Sequence, residues 1–267
     1  MEQVSQLVSF RKKRLGAAEV SAKTAIYIAL VVLGILFVFP LVWMICTSTK
    51  TDYMLAKQAG SIKLFLVNFS EPKTFLSNFK TVLASSSIPL YKYAVNSLLY
   101  AAAVVVGNIV VNALAGYVLA KLDFPGKKFL SFMVLFLIVV PIETTIIPLY
   151  SIALNLQIVG TVFAVILPPM ISIFNIFLFR QFFEGVPKEY EEAARIDGAN
   201  RLRIFFSVIM PLSKPILATV ATFAFIGSWN DYIWPTMVLP AVQGNEWPLR
   251  PIQAAIDEIQ SNPAFST

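Results

Sequence analysis

The sequence predicts an all-α fold, a polytopic membrane helical bundle, and three observations predict it. Hydrophobic residues make up 57% of the 267 and charged residues only 13%, about half the charged share of a soluble domain. Mean hydropathy is +0.73. The apolar residues gather into five stretches, at 25–46, 93–119, 129–150, 160–183 and 216–239. About 20 apolar residues cross about 30 Å of hydrocarbon, so each stretch is long enough to span. None alternates strictly enough for a barrel strand. One cysteine, Cys46, and no histidine exclude an internal disulfide, a histidine-built metal site and a histidine-based triad.

The elements follow in order. A basic leader, 1–24, carries Arg11, Lys12, Lys13, Arg14 and Lys23. The first apolar stretch exceeds the about 7 to 15 residues of a signal-peptide core and reads as a retained helix. An external loop, 47–92, mixes Asn, Ser and Lys with aromatics and suits a small cap. After the second span comes a short basic loop with Lys121, Lys127 and Lys128, and after the third a loop, 151–159, with no Lys or Arg. The fourth and fifth spans flank a charged elbow, 184–214, and the chain closes with an external segment, 240–267. With the N-terminus inside, 14 of the 21 Lys and Arg, including both short basic loops, face the cytoplasm, as the positive-inside rule requires. The net charge of +6 therefore reads as topology and not as nucleic-acid binding. Five spans leave the C-terminus outside. Without a repeat to divide it, 25–267 reads as a single transmembrane domain.

The elbow is the part suited to meet something soluble. Pro187 fits a first helical turn, and Glu189, Glu191 and Glu192 crowd the positive end of the helix dipole. Glu191 and Arg195 lie four apart in the favourable order. Tyr190, Ala193, Ala194 and Ile196 supply a surface for close packing. Asp197-Gly198 reads as a stop, with Gly198 free to take the left-handed conformation. A second helical piece, 201–210, carries Leu202, Phe205, Phe206 and Ile209 on an apolar side before Pro211 ends it.

Polar groups inside spans are the other candidates, since burying them in lipid is expensive. Counted along straight helices at about 1.5 Å per residue, Glu143 and Asp231 fall in the outer third. They could line the mouth of a translocation path, with Trp229, Tyr232 and Trp234 as stacking faces and Asn230 between them. The same aromatics would equally make an interfacial belt. Asn96, Asn108, Asn112 and Asn175 could bond substrate hydroxyls, but interhelical bonding is the commoner use. Prolines 141, 148, 168 and 169 are expected to bend the third and fourth spans. The one Gly-Lys pair, Gly126-Lys127, lacks the rest of a phosphate-cradling loop, so no ATP site is expected on this chain.

The spacing Glu192-Ala193-Ala194, three residues, Gly198, nine residues, Val208, one residue, Met210, Pro211 resembles the EAA loop of permease subunits of bacterial ATP-binding-cassette importers. The text around it, VPKEYEEAARIDGANRLRIFFSVIMPLSKP and then FIGSWNDYIWP, is similar to the carbohydrate-uptake branch with a MetI-like fold, and within it to MalG-like subunits. Val208 and Met210 stand where the family usually has Ile and Leu, and the family's sixth helix has no counterpart here. The resemblance implies a multi-pass subunit of the bacterial cell membrane that performs no catalysis. Its partners would be a second permease, two copies of a cytoplasmic ATPase that hold ATP and Mg, an extracellular sugar-binding protein and membrane lipid. Carried over to this sequence, Glu191, Glu192, Ala193, Ala194, Asp197, Gly198 and Pro211 would couple to the ATPase. The segment with Trp247 and Arg250 would dock the binding protein. In the maltose system the sugar is held mainly by the other permease. An ion-gradient-driven carrier or channel built around Glu143 and Asp231 is the alternative from another class, and a membrane-anchored enzyme a third.

Overall fold

The computed structural model describes residues 17–67, 76–84, 90–239 and 249–255. The chain divides into two units, Met1–Ser85 and Ser86–Thr267, so the predicted loop 47–92 straddles the division.

In the first unit, α1 (Ala17–Ser48) is longer than the predicted span at both ends. It is apolar on every side, and none of its most hydropathic window is buried. A helix apolar all round is one that lipid or other helices must cover. Two short helices follow α1, α2 (Asp52–Gln58) and, further on, α3 (Ser77–Ala84). Between them a 3-10 turn at Ile62–Phe65, capped by the Ser61 hydroxyl, folds back on the end of α1. Lys50 holds it there. Its ammonium, 1% exposed, donates to the carbonyls of Lys63 at 2.7 Å and Leu64 at 2.8 Å. The Phe65 ring meets Trp43 at 5.0 Å and Phe39 at 5.6 Å between centroids. Asn78 of α3 donates to the carbonyls of Ser48 and Lys50.

The spine of the second unit is α4 (Leu90–Lys121). Tyr93, Ser97, Tyr100, Val104, Asn108, Asn112 and Gly116 recur every three or four residues and share its buried face. Against it lie α8 (Ile173–Glu184) and α11 (Lys214–Asn230). Gly116 makes the α8 crossing possible: a Cβ there would sit 2.6 Å from Phe179 Cβ and 2.9 Å from the Arg180 backbone nitrogen. Small residues of this kind let membrane helices approach closely.

Among the described residues three helices are long and apolar enough to span, or up to five if each bent pair is one span. The upper count equals the predicted number; the third span, expected to bend at its prolines, does so sharply, whereas the fifth carries a break that its sequence did not announce. The third is α5 (Lys127–Ile138), a 3-10 turn at Ile142–Thr145 and α6 (Ile146–Asn155), bent by 104°. Pro141 sits at the break, where it has no N–H to continue the α5 ladder. The fourth is α7 (Val162–Ile166), a turn at Pro168–Met170, then α8, whose first turn is capped by the Ser172 hydroxyl. The fifth starts in α11 after an 84° bend and breaks at Asp231-Tyr232 before α12 (Ile233–Val238).

Candidate functional site: the elbow and its anchor

The elbow is built as a helix, a turn and a second helix. α9 runs Glu189–Ile196 with Glu189, Glu191 and Glu192 in its first turn, and Pro187 lies just outside it, two residues before the start. Its end is closed by two bonds: the N–H of Gly198 donates to Arg195 O at 3.0 Å and that of Ala199 to Ala194 O at 2.9 Å. This is the Schellman arrangement, which requires a left-handed residue between, and Gly198 has φ +79°. Asn200 starts α10 (Arg201–Leu212) by accepting from the Arg203 N–H at 2.8 Å.

Pro211 does not end this second helix. The ladder widens instead into a π turn over Phe205–Ile209, where the Met210 N–H reaches back to Phe205 O, and the helical run continues to Leu212. A proline lacks the donor for the carbonyl four residues back and its ring crowds that carbonyl, so the preceding turn opens to accommodate it. The sharp bend comes after it, at Ser213, whose buried hydroxyl donates to Ile209 O at 2.6 Å.

The faces of the elbow separate the predicted residues. Glu192, Ala193, Ile196, Asp197 and Gly198 are exposed, Ile196 to 87%. Glu191 is turned the other way and is buried. Its carboxylate lies 3.5 Å from Lys121 Nζ, accepts from the Tyr117 hydroxyl at 3.4 Å and is 3.7 Å from Arg195. Ala194 also packs inward, with Ala199, on a core formed by Tyr117, Phe179, Phe183, Ile204, Phe205 and Ile209. The expected coupling surface is therefore narrower by Glu191 and Ala194. The apolar side expected of the second helix is likewise divided: Phe205 and Ile209 are buried with Ile204, whereas Leu202 and Phe206 face outward.

The candidate path residues do not form one group. Asn96 is buried and donates to Arg250 O at 3.1 Å, beside Tyr100, whose hydroxyl donates to Leu249 O at 2.7 Å. Asn175 donates to Asn108 Oδ1 at 2.8 Å, and Asn112 donates to Asn108 O and Met170 O while accepting from the Ser172 N–H. Asn108, Asn112 and Asn175 thus tie α4 to α8 and the break before it, which is the interhelical use. Glu143 is exposed on the Ile142–Thr145 turn, so its position cannot be counted along a straight helix from Lys128. Asp231 interrupts the fifth span and accepts from the Trp234 N–H at 3.2 Å at the start of α12. Asn230 is exposed, and the half-buried Trp229 stacks on Phe225. Trp234 is buried and donates to Ala164 O, which removes it as a stacking face. Arg250 is turned onto Leu239 O at 3.1 Å and Ala254 O at 3.4 Å, and Trp247 lies outside the described residues.

Residues 112–261 match the model of the binding-protein-dependent transport system inner membrane component family, a match that takes in the elbow, Asn112, Asn175 and α11. The chain belongs to this family. Among its relatives, the arabinooligosaccharides transport system permease protein AraQ of Halalkalibacterium halodurans is 35% identical over 203 residues, 76% of this chain and 70% of that protein. The sn-glycerol-3-phosphate transport system permease protein UgpE of Escherichia coli is 35% identical over 160 residues, 60% of this chain and 57% of that protein. A bacterial ABC transporter involved in the import of the acidic polysaccharide alginate has a chain of the same fold, with TM-score 0.80 and 24% identity. That likeness covers 94% of this chain and 85% of the other.

Membership makes this chain a membrane permease and gives the elbow its context. Two residues of the elbow's setting escape the sequence-based expectations: Lys121 is expected only as a topological charge, and Tyr117 not at all. They lie 70 and 74 positions before Glu191, and no local period or spacing connects them. The signal in the sequence is weak: a lysine closing a long apolar helix reads equally well as a topological charge.

Proposed function

We propose that this permease imports a sugar or oligosaccharide by alternating access, driven by ATP hydrolysis in two copies of a cytoplasmic ATPase that grip the elbow. A second permease completes the path, and an extracellular sugar-binding protein delivers the cargo. ATP and magnesium belong to the ATPases, and this chain does no chemistry.

One observation carries the reading. The elbow presents Glu192, Ala193, Ile196, Asp197 and Gly198 to the outside, while its opposite side is tied to α4. An isoleucine as exposed as Ile196 on an otherwise charged helix is a contact in want of a cover, as apolar surface at a docking site is. Ala193 and Gly198 allow a partner's surface to come close, and bulkier residues there would hold it off at about 1 to 3 kcal/mol. Lipid headgroups are a poor cover, because the exposed Glu189 and Glu192 would be repelled by anionic lipid. For the cargo, support comes from the relatives, which are named for arabinooligosaccharide and glycerol-phosphate transport.

Gly198→Asp tests the grip. A Cβ at 198 meets nothing within 4 Å, and Asp tolerates a left-handed backbone better than most residues, so the variant should insert at normal abundance. Uptake of labelled oligosaccharide by cells should fall about tenfold or more, the effect of losing about 1.4 kcal/mol of docking free energy. Undiminished uptake at normal abundance refutes the grip. Vesicles separate the energy source: import that needs the binding protein and stops with vanadate supports the ATPase, whereas import stopped only by an uncoupler supports a gradient-driven carrier.

A further inference from the structure

We propose that Lys121 and Tyr117 are positioning residues for coupling, which lock α9 to the end of α4 through Glu191 so that the two move as one body. The inference rests on the elbow being the ATPase grip and adds how force leaves it.

The geometry is that of a two-point anchor. Lys121 ends α4, and its ammonium donates to Val186 O at 2.6 Å, in the neck that leads into α9. The same ammonium lies 3.5 Å from Glu191 Oε1 on α9 itself. One charge thus holds both the approach to the coupling helix and its first turn. Side-chain exposure is 5% for Lys121 and 6% for Glu191, so neither charge can exchange its partner for water without α9 lifting away. Tyr117, one turn earlier on α4, donates to the other carboxylate oxygen at 3.4 Å. Its ring packs between Phe205 at 5.1 Å and Phe183 at 6.2 Å, which extends the contact from α9 to both flanking helices. Arg195, half exposed, is the remaining charged group on Glu191.

Surface ion pairs on helices swap partners readily, and the other glutamates of this helix, Glu189 and Glu192, are exposed. Glu191 differs because its partner is buried with it. A buried pair is weak evidence for net stability, but it specifies one arrangement over others, since every alternative leaves a charge unpaired. Apolar packing alone would allow α9 to slide or swivel under load. The ion pair forbids that.

The test uses the complex co-purified from the native membrane with its ATPase and reconstituted with the binding protein. In Lys121→Met/Glu191→Leu both charges go, so no unpaired charge stays buried. This variant is expected to insert and to retain the ATPase at wild-type stoichiometry. ATP hydrolysed per substrate molecule imported should rise about fivefold or more, a ratio that a purely structural defect, lowering both activities together, would leave alone. An unchanged ratio overturns the proposal. Tyr117→Phe removes one hydroxyl and no charge, and is expected to raise the ratio about twofold; no rise counts against the anchor even if the double variant inserts poorly.

A cross-link tests the single body directly. In a Cys46→Ser background, which removes the only native cysteine, Lys121→Cys/Glu191→Cys joined by a short bifunctional thiosulfonate should regain coupled import. Import blocked by the link overturns the proposal, because the two helices would then have to separate in the cycle. Failure of the underlying reading looks different: the wild-type complex itself would show no ATPase at the elbow.

Discussion

At its elbow end α4 is held largely through side chains, Lys121 and Tyr117 on Glu191 and the Tyr117 ring among phenylalanines, with one bond from Lys121 to the Val186 carbonyl. At its far end Asn96, Ser97 and Tyr100 bond to backbone, at Arg250 O, the Ile252 N–H and Leu249 O. The difference sets what each end can transmit. A backbone carbonyl is the same whatever residue carries it, so the far end holds the segment 249–255 in place with little dependence on that segment's own side chains. The elbow end depends on residue identity from both partners at Glu191. Arg250 likewise bonds to backbone, closing its own half-buried segment onto Leu239 O.

The two ends of α4 should differ most at the anchor. Glu191→Ala leaves the Lys121 ammonium buried with only a carbonyl to meet and should cost about 3 kcal/mol, read as a lower midpoint in detergent-denaturant unfolding of the purified complex. A loss no larger than that of a surface pair would mean that Glu191 is solvated in the membrane.

Packing between the two ends comes next. Gly116→Ala places a Cβ against Phe179 Cβ and the Arg180 backbone, neither of which can step aside, and should destabilise by about 2 kcal/mol. Gly107→Ala is the control: the three atoms nearest its Cβ would all belong to the flexible Met170 side chain, and its cost should be clearly smaller in the same unfolding assay.

At the far end, Tyr100→Phe removes one bond to Leu249 O and is expected to cost about 1 kcal/mol, measured as faster proteolysis of the 249–255 segment with import unchanged. Equal sensitivity of import to Tyr100→Phe and Tyr117→Phe would erase the distinction between the ends. The smallest effect on stability belongs to the exposed apolar residues of the elbow. Ile196→Ser should change unfolding by no more than about 0.5 kcal/mol while weakening ATPase retention during purification; retention at wild-type level would remove Ile196 from the contact.

Much of this molecule was legible before its structure. The all-α bundle followed from apolar stretches whose length matches a bilayer, and the helix–glycine–helix elbow followed from local signals. Gly198 takes the left-handed backbone expected of it, because a helix stop of this kind is decided by neighbouring residues. The bend at Pro141 was legible, since a missing N–H acts where it stands, whereas Pro148 sits in the first turn of α6 and breaks nothing. Pro211 was misleading for a related reason: a lost donor can end a helix or be absorbed by widening one turn, and packing of Phe205 and Ile209 into the core selected the second.

What the sequence by itself determined is therefore everything set by hydropathy and short-range hydrogen bonding: that the chain spans, where it turns, and that a charged helix interrupts it. Tertiary structure alone decided which side of that helix is spoken for. Burial depends on what other segments bring to the same place, and a lysine 70 residues away turns one glutamate of three into an anchor and leaves its neighbour facing out. Likewise, the asparagines acquired their role as ties only when the break before α8 brought bare carbonyls to α4. Charge and polarity are properties of residues, but a partner is a property of the fold.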